Sequence, residues 1–392
     1  MSLVARLFPE RRSVSYQDVW GRGLDVSAGS KSGVNVTFDS LMGLAVAWRC
    51  ITLIADQVSA LPVDVFRKDS AGTRVEVSSP SSLVVDPSVL VGAEEWRYQA
   101  AVSLGAFGNA YALVNSRDRF GFVSAAEVID PGLVKIERSS QLERPRYRVN
   151  GSLVADDEML HVRKWLRPGA VEGMSPLDRH QETVGLAVAV RDYVSEWFGQ
   201  GAHPSSILTT EHPLTGEKDA KTAKERFKAA VDGREPVVLG QGWDVRQVQE
   251  SPADSEVGEI GHASTVAIAN IFSVPPEWVG VGVEGSSVTY ANREQRSIDF
   301  LTFTLAHWLS TFEKFYDREL PRGQFTKFNT AALLRMDALT QANVFEKGLR
   351  AGYLSQNDVR QLLDRPPIDD GDQYLWPPFS TTDGDENVDG SA

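Results

Sequence analysis

The 392-residue chain is 42% hydrophobic and 24% charged, ordinary values for a globular protein long enough to build more than one core. Its net charge of −13 excludes tight non-specific binding to nucleic acid, which rests on Lys and Arg displacing phosphate counterions. The one cysteine, Cys50, rules out an intrachain disulfide and fits a reducing compartment, and no apolar run is long enough to span a bilayer.

Residues 1–36 are polar and rich in Gly and Ser, and read as a flexible arm; the apolar run within MSLVARLFPERR is too short for a secretory signal. Asp39 and Ser40 are candidate helix N-caps. Leu41, Leu44, Trp48, Ile51, Ala55 and Val58 follow at three- and four-residue steps, predicting a helix with one apolar face that Pro62 closes. Cys50 lies on that helix and reads as a packed, inert thiol. PVDVFRKDSAGTRVEV predicts two short strands around a turn, and a second helix is expected over Ala93–Phe107, ended by Gly108. β-prone stretches run from Tyr111 to His161, separated by turns at Asp130-Pro131-Gly132 and Asn150-Gly151. The sum is an α+β domain at about 37–170.

Ser175-Pro176 opens one long helix that reaches Gly199 or Gly201. Its centre is small and apolar (Gly185, Ala187, Ala189), while Arg179, Glu182, Arg191, Asp192 and Glu196 exclude a membrane span. Residues 204–250 form a compact insert: a strand at SSILTT, a charged helix near Glu217–Val231, and strands at PVVLG and WDVRQV. A further helix runs from about Ala253 to Phe272, and Pro275-Pro276 stops it. Helical signals resume near Ala291 and persist to about Leu320. FTKFNTAALL then reads as a strand, and two short helices cover about Ala338–Leu363. Residues 369–392 hold seven carboxylates and no Lys or Arg, a solvated tail; DGDENVDG lacks the glycine and closing glutamate of a calcium loop.

Between the two helices lies the most informative stretch, SVPPEWVGVGVEGSSVTYANREQRSIDF at residues 273–300. Gly280, Gly282 and Gly285 make it a mobile loop, and they also spell G-x-G-x-x-G. A dinucleotide turn needs a preceding strand, an immediate helix, and an acidic residue about twenty positions on. Here a Pro-Pro-Glu-Trp turn precedes the glycines, and Asp299 lies too near. Val279, Val281 and Val283 could pack against a neighbouring copy's loop. Arg293 and Arg296 could approach phosphate or pair with Glu294 or a neighbouring subunit. The six histidines are scattered, and no H-E-x-x-H, C-x-x-C or P-loop pattern occurs, so no enzyme, cofactor or metal is expected.

Five phrases, in order from about 38 to 376, resemble the portal protein family of tailed bacteriophages. They are LMGLAVAWRCITLIADQVSALPVDVFRKD, then GNAYALVN with AAEVIDPGLVKI, then HVRKW with GMSPLDRHQETVGLAVAVRDYVSEWFGQGAHPSSIL, then IANIFSVPPEWVG with TYANREQRSIDFLTFTL, and finally LLRMD with GYLSQNDVRQLLDRPPIDDGDQY. The resemblance implies a dodecameric ring at one capsid vertex, through which the terminase motor packages DNA and the genome later leaves. It implies a portal fold of class α+β: after the flexible arm at 1–36, which matches nothing specific in the family, a wing at 37–175, stem helices at 176–203 and 251–275, and a small α/β clip at 204–250. A tunnel loop at 276–292 follows, then an inner helix and strand returning to the wing at 293–340, a short helical crown at 341–370, and a disordered acidic tail at 371–392. Val279, Gly280, Val281, Gly282, Val283, Glu284, Gly285, Ser286 and Ser287 would face the DNA. The implied partners are double-stranded DNA read without sequence specificity, the terminase large subunit, the major capsid protein and a head–tail adaptor. The protein would be made in the bacterial cytoplasm and reside in the virion. An acidic channel suits this role, because it repels phosphate and lets DNA slide. The runner-up expectations are another phage head or adaptor protein and, more distantly, a dinucleotide-dependent oxidoreductase.

Overall fold

The computed structural model describes residues 30–374 except 32, 71, 139–142, 200–205, 211–220, 222–223, 226–242, 248–255, 281–295, 297, 331–337 and 364, and at 206–210, 243–247 and 338–341 the backbone alone. Contacts divide the chain into a unit of residues 1–329 and a second of residues 330–392.

The first core forms where two helices meet. The Thr37 hydroxyl accepts from the Ser40 amide and the Ser40 hydroxyl from the Thr37 amide, so Thr37 is the N-cap of a short helix, α1 (Phe38–Met42). The expected caps, Asp39 and Ser40, lie inside it. Leu44 is extended, and α2 (Ala45–Ala60) starts after this break. The break takes Leu44 out of the helical repeat, although its side chain stays buried. Ala47, Cys50, Ile51, Ile54, Ala55 and Val58 are buried, whereas Trp48, expected on the core face, is 54% exposed. Burial in this layer pushes the Cys50 thiol up to about 12, which leaves it protonated and inert.

Helix α2 packs on the helix spanning Ala93–Phe107, which ends as predicted at Gly108 in the left-handed conformation. Their neighbours in chain order are strands β1 (Val63–Lys68) and β2 (Arg74–Glu76) and a one-turn helix, α3 (Ser82–Val85); the Ala93–Phe107 helix is α4. Eight further elements complete this half: β3 (Asn109–Arg117), β4 (Val123–Ile129), β5 (Val134–Glu137), β6 (Arg146–Val149), β7 (Ser152–Val154), β8 (Met159–Arg163) and two helices. Those helices are α5 (Pro176–Arg179) and α6 (Gln181–Gly199). The predicted single helix is therefore interrupted at His180, whose ψ of 28° and φ of −115° depart from helical values.

Downstream come β9 (Ser206–Thr210), β10 (Trp243–Gln247), α7 (Val257–Ile271), α8 (Ala306–Glu319) and β11 (Gln324–Phe328). Strands β4, β3 and β8 form one antiparallel sheet, and β5, β6 and β7 another. Strand β1 pairs antiparallel with β2 on one edge and with β11 on the other, in the register Val65↔Thr326. The chain thus returns to its first hairpin 261 positions later, from Val65 to Thr326. Helix α8 accompanies it and completes the core: Trp308, Phe312, Phe315 and Tyr316 are buried, and Phe315 stacks on Trp96 of α4 with ring centroids 6.1 Å apart. The Trp96 indole N–H donates to the Ala126 carbonyl of β4 at 2.8 Å, so the one polar group of this large buried side chain is satisfied.

In the insert, β9 and β10 form an antiparallel pair, consistent with the predicted SSILTT and WDVRQV strands. The PVVLG segment lies outside the described residues. The second unit contains α9 (Ala338–Arg350) and α10 (Gln356–Leu362), the latter closed by a reciprocal capping box between Ser355 and Asp358. Among the described residues no helix is long and apolar enough to cross a membrane.

Candidate functional site at the base of the glycine loop

Helix α7 does not wait for the prolines to end. The Ser273 amide donates to the Asn270 carbonyl and the Val274 amide to the Ala269 carbonyl, both at 3.0 Å. These are the two bonds of a Schellman motif, with Ser273 at the left-handed position that glycine normally fills (φ 55°). A non-glycine residue there costs on the order of 1 kcal/mol, and its surroundings hold it in place. Val274 is buried, and the Thr304 hydroxyl donates to the Ser273 carbonyl at 2.5 Å.

Pro275 then admits a 3₁₀ turn, Pro276–Val279, which Gly280 terminates at φ 83°. This turn stands where a dinucleotide motif requires a strand. The cofactor reading of Gly280, Gly282 and Gly285 therefore has no structural context here. Val281, Gly282, Val283, Glu284, Gly285, Ser286, Ser287 and Arg293 lie outside the described residues.

The far end of the loop comes back to the same place. Trp278 stacks on Phe300, with centroids 4.9 Å apart and planes at 18°. The Arg296 guanidinium sits 3.8 Å from the Glu277 carboxylate, both side chains being about three-quarters covered. Of the partners expected for Arg296, the structure gives a different one: Glu277 of the same chain. Residues Phe300–Leu305, on the returning side, form a π-helical turn rather than a regular α-turn. Such a turn inserts one extra residue into a helix and is common at functional sites. It buries Phe300, Thr304 and Leu305 while leaving Phe303 78% exposed. Three contacts of different chemistry therefore fasten the two ends together: a ring stack, an ion pair and a hydroxyl–carbonyl bond. The loop between them is closed at its base.

Beside this base, α6 and α7 pack on each other and leave a groove of about 420 Å³, lined mainly by apolar side chains including Leu186, Ile260, Ala263 and Ala267. Two polar features of the fold escaped the sequence reading. The first is a buried node: His161 Nε2 lies 3.0 Å from Asn109 Oδ1, and His161 Nδ1 lies 3.1 Å from the Tyr147 hydroxyl. Asn109 also accepts from the Gly173 amide and donates to the Gly173 and Phe107 carbonyls. Burial, reinforced by Arg163 and Arg318, lowers the His161 pKa to about 3, so the imidazole is neutral. The second is Lys164, whose ammonium lies over Trp165 and Trp308, 5.1 and 4.5 Å from the ring centroids. Burial lowers its pKa to about 8. A cleft of about 250 Å³ lined by Arg144, Asp156, Arg318 and Glu319 reaches His161 and Tyr147, but both ring nitrogens of His161 are already engaged by Asn109 and Tyr147, and both features read as scaffolding. Among the described residues no three His, Cys, Asp or Glu side chains gather as a metal site.

The sequence model of the family described as phage portal protein matches residues 45–364. The chain belongs to the phage portal protein family. The portal protein of Enterobacteria phage HK97 is 26% identical over 379 residues, covering 90% of this chain and 88% of that protein. The crystal structure of an HK97-family phage portal protein from Corynebacterium diphtheriae superposes with a TM-score of 0.60 at 19% identity, over 77% of this chain and 98% of that one. A chain from the neck of an empty gene transfer agent particle, computed with C6 symmetry, superposes with a TM-score of 0.56 at 19% identity, over 84% of this chain and 92% of that one. The α+β portal fold and the portal function are thus shared with the family, and the oxidoreductase and non-portal head-protein alternatives are not favoured.

Proposed function

We propose that this portal chain closes into a dodecameric ring at one capsid vertex and that the loop between Gly280 and Arg296 faces the DNA channel. The carrying observation is the clamp at the loop's base, formed by Trp278–Phe300, Glu277–Arg296 and Thr304–Ser273. A loop fastened this way can move at its tip without disturbing the helices behind it. That is the mechanical requirement for a segment that touches a sliding duplex. Ring closure needs two different faces on each subunit, and a twelve-membered ring satisfies the six-fold symmetry of the related neck. The net charge of −13 favours passage over grip, since carboxylates outnumber Lys and Arg by 53 to 40 and the summed field repels phosphate.

In this reading α6 and α7 form the stem, the β9–β10 hairpin lies in the clip that meets the terminase large subunit and the head–tail adaptor, and the α+β body meets the capsid protein. The chain is made in the bacterial cytoplasm and ends in the virion. Its part is structural: it supplies a channel and an attachment point, and the motor supplies the chemistry.

Deletion of Gly280–Ser287 tests the assignment of the loop. Rings should assemble and melt as wild type does, because the clamp residues Glu277, Trp278, Arg296 and Phe300 are untouched. DNA retained per particle in a packaging assay should fall by about tenfold or more. Normal packaging by the deleted ring would remove the loop from the channel, and failure of the chain to fold would make the loop structural.

A further inference from the structure

The groove between α6 and α7 exposes apolar side chains, with Leu186 45% and Ile260 41% accessible. Its wall is built from small residues, Ala263, Ser264 and Ala267, which leave room for large ones. At its rim stands Glu182. Both carboxylate oxygens of Glu182 accept from the backbone amide of Lys31, at 3.3 and 3.2 Å. Ser30, just before it, is only 5% exposed, and a turn in which the Gly33 amide donates to the Ser30 carbonyl fixes the local path. Lys31 is therefore pinned to the rim of this apolar groove.

The preceding sequence has the matching chemistry. Val19, Trp20, Leu24 and Val26 are apolar within an otherwise polar stretch, and Arg22 lies among them. Glu259, in the first turn of α7, neighbours Ile260 and offers Arg22 an opposite charge. Reach is no obstacle. Leu24 precedes Lys31 by seven positions, up to about 24 Å of extended chain, whereas Glu182 to Leu186 is about 6 Å along a helix. Because Lys31 is already tied to the rim, the segment meets this groove at an effective concentration that another chain's segment does not match.

We infer that the segment Val19–Val26 seats in the α6–α7 groove of its own chain, with Trp20 and Leu24 as the apolar anchors. The segment then belongs to the stem as a strap across two helices. This inference is independent of how many copies form the ring and of what the glycine loop touches.

The full-length protein carrying Leu24→Cys and Ile260→Cys tests it under a mild oxidant. Cys50 does not compete, since it is fully buried and its thiol is held at about 12. The expected product is a disulfide within one chain, seen as a chain of unchanged mass with a linked 24–260 peptide pair. Links joining two chains through 24 and 260 would overturn the inference in favour of an exchanged strap. Interchain links formed by Ile260→Cys without Leu24→Cys would seat a second copy's stem in the groove instead. A second measurement decides the case in which no link forms. Trypsin should cut after Arg22 at least about tenfold more slowly in wild type than in Leu186→Glu/Ile260→Glu, which disturbs only exposed positions. Equal cleavage in the two proteins would sink the proposal.

Discussion

Gly173→Ala should cost the first unit about 4 kcal/mol or more and lower its melting temperature by about 10 °C, with much of the protein recovered insoluble. A methyl group at Gly173 would lie 2.0 Å from the Gly108 carbonyl oxygen and 2.3 Å from that of Lys164. Both obstacles are backbone atoms, so no side-chain rotation relieves them, and the two chain segments must move apart. That movement breaks the bonds the close approach exists to make. The Lys164 amide donates to the Gly108 carbonyl, and Asn109 bonds both the amide and the carbonyl of Gly173. Each buried bond lost costs about 1–3 kcal/mol when its partner is left unsatisfied. Gly121→Ala is the control. Gly121 has a positive φ, 88°, which Gly173 does not, and nothing lies within 4 Å of the added carbon, so only the conformational cost of about 1 kcal/mol applies. Equal melting temperatures for the two variants would refute the close-approach account.

The second large effect is on pH. His161 titrates at about 3 in the folded chain and near 6.5 when unfolded. Between these values the unfolded state holds a proton that the folded state does not. Stability is therefore fully present above about pH 6.5 and falls as the pH drops, by about 1.4 kcal/mol per unit down to about pH 3. Asp130 and Glu319 act in the opposite sense, because burial raises their carboxyls and the folded chain takes up those protons first. The His161→Gln variant isolates the imidazole: its amide can still bridge Asn109 and Tyr147, and it carries no proton to gain. Denaturant melts at pH 7 and pH 4.5 should show wild type losing about 2–3 kcal/mol more than His161→Gln. Parallel losses in the two proteins would mean that His161 is not held neutral.

These two sites also mark what the sequence could not reveal. Helix α4 was legible to the residue, because the three- and four-residue apolar steps and the terminal Gly108 are local signals. The β1–β2 hairpin was legible for the same reason, from alternation around a turn. Gly173 was not, since its need arises from two distant segments meeting, and nothing in its neighbours distinguishes it from the other glycines. Trp48 was misplaced because its spacing sets it at the edge of the arc shared by Ile51, Ala55 and Val58, and spacing alone does not show how far along α2 the cover extends. The end of α7 was read from Pro275-Pro276, yet Ser273 closes it two residues earlier. A serine in the left-handed region is held there by Thr304, more than thirty positions away, which no local pattern encodes. The π-turn at Phe300–Leu305 has the same character: its first residue stacks on Trp278, a partner more than twenty positions away. The loop's position between two helices was plain from the sequence. The clamp that closes its base came only with the fold.

The clamp gives mechanical meaning to the loop only if copies of the chain surround a channel. Negative-stain imaging of the purified protein across a range of salt concentrations tests that claim most directly. The account predicts closed rings with a central hole wide enough for duplex DNA. Monomers that persist at high protein concentration in every salt would contradict it.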